Sequence, residues 1–206
     1  MKNSVRTMVT TAMLAAVAGA LMSLEFSIPF MPVFYKIDFS DVPTVIALFS
    51  FGPVSAFCVE IIKILIKLIT VGTNSNYVGE FANLLGAVMF IVPIWLIAKK
   101  TGGTKRGMAA ALGVSAVIRI AWSCFCNACI TLPMYAATMG VSIDDVVRAV
   151  SAANPMIQNL PTFLILATIP FNAVKLALNY SLAVVLFYRV AAAIPMPRVF
   201  TASKTA

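Results

Sequence analysis

With 206 residues, 61% of them hydrophobic and only 11% charged, the chain has too few polar side chains to clothe a water-soluble domain of its size. Lys and Arg outnumber Asp and Glu by 15 to 7. The cations gather beside apolar runs, at Lys2 and Arg6, at Lys99, Lys100, Lys105 and Arg106, and at Arg189, Arg198 and Lys204, which marks cytoplasmic ends rather than a nucleic-acid surface. The absence of histidine removes the commonest zinc ligand and the commonest general base.

The bilayer is therefore the expected solvent, and the apolar runs predict a single all-α integral membrane domain over residues 1–206, a bundle of six transmembrane helices. The first helix is expected at about 7–24. Its basic start and apolar run resemble a signal peptide, but small residues continue through it and further spans follow. A loop rich in Pro and aromatics, 25–40, precedes a short second helix at 41–51, and Gly52 and Pro53 separate that from a third at 54–71. The third carries Glu60, Lys63 and Lys67 at helical spacing. After the polar loop 72–77 comes a fourth helix, 79–98, and then the basic loop 99–106. A fifth runs from 107 to 132, where Pro133 is expected to stop it, and a sixth from 155 to 189. That last run exceeds one span, which implies a break near Pro161 or Pro170 or an amphipathic start. Alternate threading from a cytoplasmic N-terminus puts the loop 99–106 and the C-terminus inside as well, and loops 25–40, 72–77 and 135–154 outside.

Six polar side chains stand inside these apolar runs: Lys63, Glu80, Asn83, Asn127, Asn172 and Lys175. A charge at mid-membrane costs about 2.5–3.5 kcal/mol on insertion scales, so each needs a partner or a purpose. Spacings of three place Glu80 with Asn83, and Asn172 with Lys175, on common helix faces. With Asn127 they can line one outward-opening cavity, where amides and an ammonium would hydrogen-bond a planar heterocycle while aromatic rings stack on it. The alternative is that they satisfy one another, Lys175 with Glu80 for instance, and only hold the bundle together.

Ala12, Ala16 and Ala20 form a small-residue stripe on the first helix, with Ala15 and Gly19 beside it. It suits close packing inside the bundle or docking to a partner membrane subunit. Cys124, Cys126 and Cys129 superficially suggest a metal motif, but positions two apart on a helix face different ways, so no metal site is expected. No Walker-type phosphate loop is present, and any energy from ATP must come from another chain.

The strings Lys36-Ile-Asp-Phe-Ser-Asp-Val-Pro43, Gly52-Pro53, Gly79-Glu80-Phe-Ala-Asn83, Leu132-Pro133-Met-Tyr135 after Asn127, and Pro170-Phe-Asn172-Ala-Val-Lys175 resemble the substrate-binding S components of energy-coupling-factor (ECF) vitamin transporters. Among these they resemble the riboflavin-specific RibU type. The resemblance spans nearly the whole chain. It implies a non-enzymatic subunit in a prokaryotic plasma membrane that captures riboflavin from outside and needs no cofactor. It further implies that Asn127, Asn172 and Lys175 contact the isoalloxazine ring, joined by Glu80 and Asn83. Residues 25–40 would fold over the ligand as a lid, with Phe30, Phe34 and Tyr35 as its apolar contacts. The alanine-rich first helix would dock to a transmembrane T subunit served by two ATPase subunits.

Rival readings remain open from the residues alone. An S component for pantothenate or a pyridoxine-like vitamin keeps the architecture. A membrane-embedded enzyme using Glu80 or Asp41 as acid or base lacks a second catalytic group at defined spacing. A scaffold subunit that binds nothing leaves the amides and Lys175 without a purpose.

Overall fold

In the computed structural model, residues 2–28, 31, 35–73, 77–151 and 154–193 are described. Helix α1 (Lys2–Ser23) leads into a two-stranded antiparallel ribbon, β1 (Phe26–Ser27) with β2 (Lys36–Ile37), in which Phe26 faces Ile37 and Ser27 faces Lys36. Then follow α2 (Asp41–Phe51), α3 (Pro53–Thr70), α4 (Val78–Lys100), α5 (Lys105–Cys126), α6 (Leu132–Met139), α7 (Ile143–Ser151), α8 (Leu160–Phe163) and α9 (Ile169–Ala193). A π-helical turn at Asn127–Thr131 joins α5 to α6, and a second at Leu164–Thr168 joins α8 to α9. Seven continuous helical rods result among the described residues, not six.

The additional rod is α7, within the stretch expected as an external connection. Its nine residues are too few to span a bilayer. Ser142 and Asp145 cap it reciprocally: the Ser142 hydroxyl accepts from the Asp145 amide at 3.2 Å, and the Asp145 carboxylate accepts from the Ser142 amide at 3.1 Å. Val146, Val147 and Val150 face inward.

Pro133 does not end the fifth helix, which runs on to Met139 and stops at Gly140, a residue with φ of 68°. A proline inside an α-helix has no N–H to give and its ring meets the carbonyl four residues back. Here the preceding turn widens, and the Leu132 N–H reaches the Asn127 carbonyl five residues back. The same device precedes Pro170, where the Ile169 N–H reaches the Leu164 carbonyl. The expected break near Pro170 is thus a π turn, and the rod begins at Leu160 behind an Asn159–Thr162 capping box.

Among the described residues, four rods are long and apolar enough to cross a membrane: Val5–Ser23, Val78–Lys100, Lys105–Met139 and Leu160–Arg189. Their outer faces carry exposed Val17, Leu84, Val88, Val92, Val117, Leu178 and Val185, a surface suited to lipid and not to water. Helix α3 has the reverse polarity. Ser55, Glu60, Lys63 and Lys67 face inward, and Val54, Ile61, Leu65 and Ile69 face out. At the centre lies α2, only 11 residues long, of which all but Phe51 are buried against its neighbours α1, α3, α4 and α9. Gly52, at φ 92°, turns the chain sharply into Pro53 at the start of α3.

The alanine stripe of α1 divides into two faces. Ala15 and Ala18 are buried in a small core with Ala47 and Val59, whereas Ala12, Ala16 and Ala20 are exposed. Gly19 packs on α3 so closely that an added Cβ would lie 2.7 Å from Ile66 Cβ. Gly19→Ala is therefore expected to destabilise the protein by about 1–3 kcal/mol, while Ala16→Val on the outer face changes little. Thermal unfolding of both variants in detergent checks this, and an unaltered Gly19→Ala midpoint would refute it.

Candidate functional site

A cavity of about 130 Å³ lies between α4, the α5–α6 rod and α9, with the end of the ribbon loop across it. Helix α4 contributes a nearly bare wall of Gly79, Ala82, Asn83 and Gly86. Facing it is one stripe of the α5 rod, Arg119, Trp122, Ser123, Cys126, Asn127 and Thr131, in which steps of three and four keep the side chains on one side. Phe171, Asn172 and Lys175 close the third side, and Tyr35, Lys36 and Tyr135 sit at the remaining edge.

Four of the five expected ligand residues, Asn83, Asn127, Asn172 and Lys175, thus meet at one cavity. Glu80 does not line it. Its carboxylate accepts from Lys67 Nζ at 3.0 Å and from the Thr73 hydroxyl at 3.1 Å. The amides are held by local bonds. Asn127 Nδ2 donates to the Ser123 carbonyl at 2.8 Å, and Asn172 Nδ2 to the Thr168 carbonyl at 2.8 Å. Asn172 Oδ1 accepts from the Ser123 hydroxyl at 3.1 Å, which links the two rods, while Asn127 Oδ1 is buried with no hydrogen-bond partner among the described residues.

Lys175 is paired with Asp38, at 2.8 Å, and not with Glu80. Burial favours the neutral form of the Asp38 carboxyl, but the Lys175 and Lys63 ammoniums outweigh it and hold Asp38 below the ordinary carboxylate range. The Asn179 amide also donates to the Asp38 carbonyl at 2.9 Å. The chain segment before α2 is therefore fastened to α9 by a charge pair and a hydrogen bond.

Deeper in the bundle the ionic groups continue. Lys63 donates to Asp41 and to Glu60, both at 2.7 Å, Thr44 donates to Glu60 at 2.6 Å, and an Arg119 limb lies 3.6 Å from Asp41. Asp41 is the first residue of α2, where the helix dipole favours a negative charge.

Tyr35 closes the outer edge. Its ring stacks on Phe171 with centroids 4.4 Å apart and planes 12° apart, and its hydroxyl is 2.7 Å from the Thr168 hydroxyl. Burial pushes the phenol pKa up, so it stays neutral. Phe30 and Phe34, also expected on this loop, lie outside the described residues. The cysteines are unpaired and face differently, Cys126 buried and Cys129 exposed, and no metal-binding cluster occurs among the described residues.

Sequence reasoning missed Arg119, Asp38, Trp122 and Ser123, and weighed Asp41 only as the acid or base of a rival enzyme reading. Arg119 was visible as the one charge within the apolar run 107–132, and Asp38 lies in a string noted only for its resemblance. Trp122 and Ser123 had no such signal, since only side-chain direction distinguishes them from their neighbours.

Residues 6–187 match the family described as the substrate-specific component of ECF transporters. A Staphylococcus aureus protein named riboflavin transporter RibU is 32% identical over 88% of this chain and 88% of its own length. A Bacillus subtilis protein named riboflavin transporter FmnP is 31% identical over 83% of this chain and 84% of its own. A solved structure of the S component of a bacterial ECF transporter superposes with a TM-score of 0.70 at 26% identity, covering 92% of this chain and 97% of that one.

Proposed function

The chain belongs to the family of ECF transporter substrate-specific components, and from that premise we propose that it is the riboflavin-binding subunit of such an importer. The relatives above, named riboflavin transporters and each matched over more than four fifths of this chain, support that ligand. The observation that carries the reading is the cavity itself: Asn127 and Asn172 offer amide groups beside the stacked Tyr35–Phe171 pair and the Trp122 ring, which suits a flat heterocycle edged with carbonyls and N–H groups. Asn83 and Lys175 complete the polar lining, and Glu80 acts one layer out by holding Lys67.

At about 130 Å³ the cavity is smaller than the ~300–1,000 Å³ of typical small-molecule sites. Riboflavin enters when the segment 25–40 lifts as a lid and Tyr35 gives up Thr168 and Phe171, and the same contacts re-form around the ligand. The vitamin arrives from outside, with both termini and the basic loop 99–106 on the cytoplasmic side. The exposed face of Ala12, Ala16 and Ala20 meets the transmembrane T subunit, and two ATPase subunits supply the energy.

Titrating the detergent-purified protein with riboflavin tests the reading through quenching of flavin fluorescence. Stoichiometric quenching at nanomolar to micromolar concentration supports it, and no quenching by a folded sample overturns it in favour of another vitamin. Asn172→Ala is expected to weaken riboflavin binding roughly tenfold, the loss of one buried hydrogen bond, with little change in the unfolding midpoint. Wild-type affinity in that variant would remove Asn172 from the site.

A further inference from the structure

We infer that Arg119 reads the ligand directly, one limb of its guanidinium donating a hydrogen bond to an uncharged oxygen, a ring carbonyl or a chain hydroxyl, at the inner end of the cavity. This deepens the riboflavin reading and rests on it.

Arg119 lines the cavity two helical turns along α5 from Asn127, about 12 Å at 1.5 Å per residue. The residue is 6% exposed. Nη2 faces Asp41 at 3.6 Å, and the guanidinium lies over the Phe90 ring at 4.7 Å. Nη1 is fully buried with no hydrogen-bond partner among the described residues. A charged donor in that state is rare in a folded protein and points to a partner that arrives from elsewhere.

The space beside it is built for such a partner. An added Cβ on Gly86 would stand only 3.4 Å from Arg119 Cζ and Nη2, so the bare backbone of α4 is what leaves room there. Trp122 Nε1 and Asn127 Oδ1, on the same stripe, are likewise buried and unpartnered. The stripe therefore presents two N–H donors and one carbonyl acceptor in a row, waiting for a ligand with the opposite order.

Charge decides what kind of oxygen it is. Arg119, Lys63 and Lys175 already stand against Asp38, Asp41 and Glu60, all buried, so the inner cluster is balanced with no ligand present. A phosphate placed there would leave uncompensated negative charge in a low-dielectric interior. A neutral acceptor adds none.

The test titrates wild type, Arg119→Lys and Arg119→Met with riboflavin and with lumiflavin, which has the same ring and a methyl group in place of the hydroxylated chain. Ligand-free unfolding midpoints are taken on the same samples. Lysine keeps a cation for Asp41 and removes the second limb, so its midpoint should stay near wild type while riboflavin affinity falls roughly tenfold to a hundredfold. An equal loss for lumiflavin assigns the acceptor to a ring carbonyl, and a loss confined to riboflavin assigns it to a chain hydroxyl. Wild-type affinity for riboflavin in both folded variants overturns the inference and leaves a buried water as the partner of Nη1. A wild-type protein that binds neither flavin removes the riboflavin reading, and the inference with it.

Discussion

Lys63→Ala is expected to be the most damaging single substitution in the bundle, lowering stability by about 3–5 kcal/mol. Lys63 is 1% exposed, and its ammonium holds Asp41 and Glu60 at 2.7 Å each. Its removal leaves two carboxylates facing each other in the interior, with Arg119 at 3.6 Å as the remaining cation beside Asp41. Neither carboxylate can reach water, since Asp41 on α2 and Glu60 on α3 are both buried. Thermal unfolding of ligand-free protein in detergent measures the loss. Adding Glu60→Gln to Lys63→Ala should recover part of it, since that removes one of the stranded charges. An unchanged midpoint in Lys63→Ala would mean that the cluster contributes nothing to stability.

Lys175→Ala should produce the second largest effect, and it acts twice. The family resemblance alone suggests a ligand residue whose removal leaves the fold intact. The 2.8 Å pair with Asp38 argues otherwise, because truncation strands a buried carboxylate and costs about 3–5 kcal/mol of stability. Riboflavin affinity should fall by a factor of ten or more as well. The double variant Asp38→Asn/Lys175→Ala separates the two roles. Removing the stranded charge should restore most of the unfolding midpoint, while affinity stays low if Lys175 touches the vitamin. Recovery of both together would show that Lys175 serves only to fasten the segment before α2.

Much of this was legible in the chain because hydrocarbon is an unforgiving solvent. The helices expected at 41–51, 54–71 and 79–98 lie within two residues of α2, α3 and α4, α1 begins five residues before its expected start, and four of five expected ligand residues line the cavity. The misses have physical causes. Pro133 reads as a stop by local sterics alone, and only the π turn before it shows how the rod continues. Helix α7 escaped notice because it packs through three valines spread among charged residues. Glu80 was grouped with Asn83 because three residues separate them, yet it turns to Lys67, whose position on α3 no local pattern supplies. Asp38 as the partner of Lys175 lies 137 positions away, a distance across which spacing arguments have no reach.

The paired π turns set the phase of the cavity wall. Each adds one residue to its rod, and one residue turns an α-helix by about 100°. The stripe from Arg119 to Asn127 and the outer wall at Tyr135 therefore face a common space only because an offset lies between them, and the same holds for Phe163 and Phe171 on the opposite rod. Pro133 and Pro170, which cannot supply the N–H that would close a regular turn, act as keys that keep each offset from slipping. Within this fold the outer wall can be re-aimed by residue count, leaving the ionic floor where it is.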